Sequence, residues 1–250
     1  MPKLYTPEKL NYAAILPFSK ELAELGDSQE LVLDFSRTSF SKPMAMLTLG
    51  CIIKSLIQTR NEANLVTEME GVTEDIPALS YMGHLGFFNF IGLPFGNVVG
   101  QARGNDRYIP ITKLTLSDLM LDVSPPYKLL RHVIMEEAVK LANVLSPRES
   151  DEASTVTLAY VLREIIRNVF EHSKAGEAYL CGQRWSGGRV EIAIIDQGIG
   201  IFNSLKNAFG IKEPAEALKL AIEPAISRTT GPKGDKNEHG NSGYGLYVLS

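Results

Sequence analysis

The stretch that most constrains this chain is Met44–Gln58, MAMLTLGCIIKSLIQ, apolar on almost every side when wound as a helix. Such a helix should be well buried, so the fold must supply a core around it. The residues ahead of it agree. Leu31, Val32, Leu33 and Phe35 in ELVLDFSRTSF read as a buried strand ending at an Asp-Phe-Ser turn. Ser41 is placed to cap the helix, and Pro43 suits its first turn, where no amide donor is required.

Strand and helix continue to alternate through the first half. A short strand is expected near ANLVTEME, turns from Gly71 to Pro77, a helix over ALSYMGHLGFFNF and a late strand over YIPITKLTL. DVSPPYK, with two consecutive prolines and no period, marks a boundary between domains 1–125 and 126–250. Beyond it two helices read clearly. The first is YKLLRHVIMEEAVKLANVL. The second is SDEASTVTLAYVLREIIRNVFEHS, with Ser150 as its cap and acids in its first turn. The strands GEAYLCGQRW and GRVEIAIID follow, joined by a Ser-Gly-Gly turn. Then come DQGIGI, two short helical stretches, a polar segment and the closing GNSGYGLYVLS. The expected fold class is α/β for the first half and α+β for the second.

Composition excludes several classes of function. A hydrophobic content of 44% with 22% charge belongs to a globular protein, and 250 residues make one large domain or two ordinary ones. The net charge of −4 gives no nucleic-acid-binding surface. No apolar run reaches a membrane span, and MPKLYTPEKLNY lacks the apolar core of a secretory signal. Cys51 and Cys181 lie far apart in apolar runs and read as reduced, buried thiols of a cytoplasmic protein. The four histidines lack zinc-ligand spacing.

Three features carry chemistry. Leu158, Leu162, Ile165 and Val169 form an apolar stripe at helical spacing. Glu164, Asn168 and His172 form a polar line at its margin, each about 40° round from the last. Singly, such a line is usually solvated. VEIAIIDQGIGI then drives a buried strand into Asp196, Gly198 and Gly200. An aspartate past a strand end can accept from a ligand amino group, and alternate glycines let the backbone approach a ligand closely. Singly, such a run is usually a turn. Finally, Gly240, Gly243 and Gly245 open an apolar, helix-compatible run, and amides at a helix N-terminus bind phosphate.

In this order the three resemble the nucleotide-binding motifs of the GHKL ATPases: gyrase, the large heat-shock chaperones, histidine kinases and MutL. The resemblance covers roughly Tyr127 to Ser250. It implies a Bergerat-type α/β sandwich, a mixed sheet covered by helices on one face, with ATP and Mg²⁺ as cofactors. By that resemblance Asn168 would coordinate the metal, and Glu164 would be the general base that polarises the attacking water. Asp196 would bind the adenine amino group, with Gly198 and Gly200 shaping its pocket. Gly240, Gly243 and Gly245 would wrap the triphosphate. Arg228, Lys233 and Lys236 lie in the segment that would be the ATP lid, within reach of phosphate oxygens. The family's last strands are missing after Ser250, so a truncated chain, or a fold completed by another chain, is expected.

Leu31–Leu56 is similar to the core of STAS domains, in which a strand ends in Asp-x-Ser before a buried helix. Where such domains often carry a phosphorylated serine, this chain has Lys42-Pro43-Met44, and Ser39 and Ser41 are out of place. A docking or scaffold role is therefore expected rather than a phosphorylation switch. The function expected from the resemblance is a Mg-ATP-dependent ATPase acting as a conformational switch towards a protein partner or second subunit, with no membrane involved. The alternatives are a protein kinase of the histidine-kinase or anti-sigma serine-kinase type, and a non-catalytic nucleotide-sensing module. His132 lacks the acidic neighbour and downstream proline usual at a phosphoacceptor histidine.

Overall fold

The computed structural model describes residues 2–102, 104, 107–121, 130–146, 152–227 and 230–232. The protein is mixed α/β, with parallel and antiparallel sheets. It divides into two compact units, Met1–Lys113 with Tyr179–Ile195, and Leu114–Ala178 with Asp196–Ser250. The boundary expected at 125/126 lies outside the described residues.

In the first unit β1 (Lys3–Tyr5), β3 (Glu30–Asp34) and β5 (Val66–Glu70) form a parallel sheet in that order, with Tyr5 opposite Asp34 and Asp34 opposite Glu70. Parallel neighbours need crossovers, here α1 (Tyr12–Leu25) and α2 (Pro43–Glu62). Neither β1 nor α1 was expected from the sequence. A second parallel pair joins β2 (Lys9–Leu10) to β4 (Phe40–Ser41).

Helix α2 is buried along most of its length, as its apolar run requires, and Pro43 opens it. Ser41 does not cap it, contrary to expectation. Pairing with Leu10 draws Ser41 into β4, its Oγ is buried without a hydrogen-bond partner, and Lys42 takes the N-cap position with no side-chain bond. The Glu191 carboxylate accepts the Met44 amide at 3.2 Å and supplies the anion that a helix start favours. Midway along α2, a Cβ on Gly50 would fall 2.8 Å from the Phe90 ring, so only glycine lets that ring pack there. Phe35, Phe87, Phe88 and Phe95 meet edge to face in the same core. The single helix expected over 78–90 is instead two, α3 (Pro77–His84) and α4 (Phe87–Phe90), because Gly86 turns left-handed at φ 89 between them.

Arg60 is the largest fully buried side chain of α2. It donates to Thr67 Oγ1 and to the carbonyls of Gly26, Ser28 and Val66, so the end of α1, the end of α2 and β5 are tied by one guanidinium. The other sheet runs β6 (Tyr108–Thr115), β7 (Glu177–Arg184) and β8 (Val190–Asp196). Cys51 and Cys181 are free and buried, and burial pushes the Cys51 thiol up to about 11 and raises that of Cys181 as well.

The second unit contains α5 (Leu116–Leu121), α6 (Leu130–Leu145), α7 (Glu152–Arg167), α8 (Gly200–Phe209) and α9 (Pro214–Ala221). Helices α6 and α7 pack together, with Ala138, Ala142 and Ala159 among their buried residues. Helices α8 and α9 share a small core of Leu205, Ile211, Ala217 and Ala221. No helix among the described residues is long and apolar enough to cross a membrane.

Candidate functional site

The polar line Glu164-Asn168 occurs on α7 and the turn that follows it. The buried apolar positions there are Ala159, Leu162, Ile166 and Val169, rather than 158, 162, 165 and 169. The two lines share Leu162 and Val169 and differ by one residue elsewhere, and apolar side chains occupy both, so pattern alone did not separate them. After Arg167 the winding widens to a π turn over Asn168–His172, and the Ser173 amide bonds to the Asn168 carbonyl at 3.0 Å. Such single π turns recur at functional positions because they rotate side chains out of helical register.

Glu164 is buried at 7% exposure, which is rare for a carboxylate unless it is paired. Its Oε1 accepts from Arg163 Nε at 2.9 Å, from the other branch of that guanidinium, and from Arg167 Nη1 at 3.5 Å. Its Oε2 has no hydrogen-bond partner among the described residues and is not one of the fully buried unpartnered atoms. Arg163 also lies over the Tyr160 ring at 4.4 Å. Arg167 turns its main contacts to Glu171, at 3.1 to 3.3 Å. Burial opposes the Arg167 charge, but the Glu171 hydrogen bond and the charges of Glu171 and Glu164 outweigh it and raise its pKa. Asn168 is half-buried, and its carboxamide makes no hydrogen bond among the described residues.

Asp196 ends β8, and its Oδ1 accepts the Gly198 amide at 2.8 Å, which fixes the turn. Its Oδ2 has no hydrogen-bond partner among the described residues. Gly198 then meets Ser173, the residue closing the π turn. A Cβ on Gly198 would fall 2.6 Å from Ser173 Cβ and Oγ and closer still to its carbonyl. The Ile199 amide donates to that carbonyl at 2.8 Å. Ser173 itself is locked: its Oγ donates to Val169 and accepts the Ala175 amide, before Lys174 turns left-handed at φ 58. Gly200 is also left-handed, at φ 71, with open space where a Cβ would be.

The structure therefore brings the turn that begins at Asn168 against the loop that begins at Asp196. Glu164 lies one helical turn before Asn168. Gly240, Gly243 and Gly245 and the cations Arg228, Lys233 and Lys236 lie outside the described residues, as does the side chain of His172. Ser173, Arg163, Arg167 and Glu171 were missed from the sequence. The Arg167-Glu171 spacing of four was a readable signal. Nothing in the sequence singled out Ser173. Among the described residues no group of three histidine, cysteine or carboxylate side chains is arranged to hold a metal ion. Comparison with protein-family models, with curated proteins and with solved structures gave no match.

Proposed function

We propose that residues 126–250 bind Mg-ATP in the manner of a GHKL-type domain and use it as a conformational switch, with residues 1–125 serving as a STAS-like docking module. The observation that carries this reading is the junction of Gly198 and Ile199 with Ser173. Two motifs that share a ligand in the resembled family are held together here, by a hydrogen bond and by a missing Cβ.

The free acceptors suit such a ligand. Asp196 Oδ2 has a lone pair for an exocyclic amine, while Oδ1 is spent on keeping the loop in shape. The Asn168 carboxamide oxygen is a hard donor suited to Mg²⁺, and it would hold the ion together with ligands supplied by the nucleotide and water. Bound Mg²⁺ would supply charge neutralisation at the phosphates. Glu164 has one oxygen held by two guanidiniums, which fixes its orientation, and a second oxygen that can accept from a water. Gly240, Gly243 and Gly245 would offer amides to the triphosphate, and Arg228, Lys233 and Lys236 would offer charge.

A non-catalytic nucleotide sensor is the second reading, and the Glu164 contacts favour it: one of its two carboxylate oxygens, Oε1, is already taken by Arg163 and Arg167. Incubation with γ-labelled ATP and Mg²⁺ tests the choice. Free labelled phosphate, lost in Glu164→Gln, is the result expected of a switch that hydrolyses. Label retained on a protein would move the assignment to a kinase. Saturable binding with neither would leave the sensor, and no binding would remove the proposal.

A further inference from the structure

The parallel sheet of the first unit is covered on one face only. Its strands run β1, β3, β5 in sequence and in space alike, so both crossovers step the same way. Right-handed crossovers that step the same way leave both helices on one side. The core agrees, because Leu4, Leu31, Leu33 and Met69 pack with residues of α1 and α2. The alternate residues of each strand point to the other face. There Glu30 stands beside Val66, and Val32 between Lys3 and Glu68. Parallel sheets are ordinarily buried on both faces. Here the outer face meets solvent: Tyr5 is 37% and Val66 46% exposed, and Glu30 and Glu68 are exposed with them. Lys3 is spent on Asp34 and Glu70. The carboxylates of Glu30 and Glu68 make no hydrogen bond or ion pair among the described residues. Even with Arg37 over the Tyr5 ring at 3.5 Å, carboxylates outnumber cations on this face.

We infer that this outer face docks one amphipathic helix of a protein partner, with lysine or arginine flanking its apolar stripe. Three strands about 4.8 Å apart give a face roughly 10 Å wide, which is the width of a single helix. A helix is also what closes the second face of a parallel sheet. Tyr5 and Val66 offer apolar contact, and the free carboxylates of Glu30 and Glu68 select basic flanks. Lysine and arginine stems lie along apolar surface while their heads reach a carboxylate. A second copy of this chain would set the same carboxylates against its own, and a nucleic acid or an anionic membrane would be repelled. The inference rests on the docking role proposed for residues 1–125, gives it a surface, and uses nothing of the nucleotide reading.

A fluorescein-labelled amphipathic helix of lysine and leucine is titrated with the full chain at low salt and followed by anisotropy. Beside it run its glutamate-leucine counterpart and an unstructured glycine-lysine peptide of equal charge. Two double variants are compared, Glu30→Gln, Glu68→Gln on the face and Glu213→Gln, Glu216→Gln at the start of α9. All four residues are exposed, so both variants are expected to fold, which circular dichroism checks. The expected result is saturable binding of the lysine-leucine helix, weakened by salt, roughly fivefold weaker in the face variant and unchanged in the α9 variant. The glutamate-leucine helix should be silent and the glycine-lysine peptide weaker. Equal losses in the two variants would reduce the binding to net charge and overturn the assignment. Binding unchanged in the face variant would overturn this face and leave the docking role standing. No binding of any peptide by a chain that sediments as one copy would overturn both, and sedimentation as two copies without peptide binding would give the face to a second copy instead.

Discussion

Arg60 in the first unit and Asn168 in the second both carry a polar head group near the end of a helix, and their surroundings are opposite. Arg60 is buried and donates to four acceptors, two in the turn between α1 and β3 and two in β5. Asn168 is half-buried, and its carboxamide donates to and accepts from nothing among the described residues. A buried polar group with every bond made holds a fold together. A half-buried one with its bonds unmade, beside a turn fixed by other contacts, is available to a ligand. The same contrast separates the two oxygens of Glu164 and the two of Asp196.

The largest effect that would sharpen this contrast is at Arg60. Arg60→Ala removes a fully buried side chain and all four of its hydrogen bonds and should cost about 3–5 kcal/mol, read as a shift in the denaturant midpoint. Asn168→Ala should cost almost nothing by the same measurement. Equal losses at the two sites would break the comparison.

Next comes the junction. Gly198→Ala forces a methyl group into Ser173 and should destabilise by about 1–3 kcal/mol while weakening nucleotide binding. Gly200→Ala has room for its methyl group and loses only the left-handed preference, about 1–2 kcal/mol. A Gly198→Ala protein as stable as Gly200→Ala would mean that the approach to Ser173 is not tight.

A smaller, pH-dependent effect is expected in the first unit. Burial alone would raise the Asp34 pKa, but its hydrogen bonds from Ser36 and its contact with Lys3 lower it overall. A depressed folded pKa gives stability that is present above the unfolded value of about 3.9 and is lost as pH falls through the folded value. Acid unfolding of Asp34→Asn should therefore be less steep below about pH 4 than that of the wild type. Identical acid limbs would contradict this. The smallest effect is at Lys174: relieving its left-handed backbone in Lys174→Gly should gain roughly 0.5 kcal/mol or less.

What could be read from the sequence follows the size of each signal. Helix α2 was legible because fifteen consecutive residues and Pro43 all pointed one way. β1 and β2 span three residues and two, too few for any period, and α1 carries Pro17 inside it. Ser41 was misread because its pairing with Leu10 is a long-range contact, and local chemistry favoured a cap. Gly86 was legible as a glycine but not as a left-handed break between two apolar runs. Among the candidate site residues, Glu164, Asn168 and Asp196 were singled out by spacing and strand position. The clamp on Glu164 and the seat of Gly198 on Ser173 depend on how α7 ends, in a π turn that helical periodicity does not predict.

Calorimetric titration of the chain with Mg²⁺ and a non-hydrolysable ATP analogue, beside Asp196→Asn and Asn168→Ala, tests the central claim most directly. Saturable binding that both substitutions abolish, without loss of folding stability, is the result expected if the unmade bonds at Asp196 and Asn168 belong to the nucleotide and its metal. Binding left intact by both substitutions, or none in a folded wild-type chain, would contradict it.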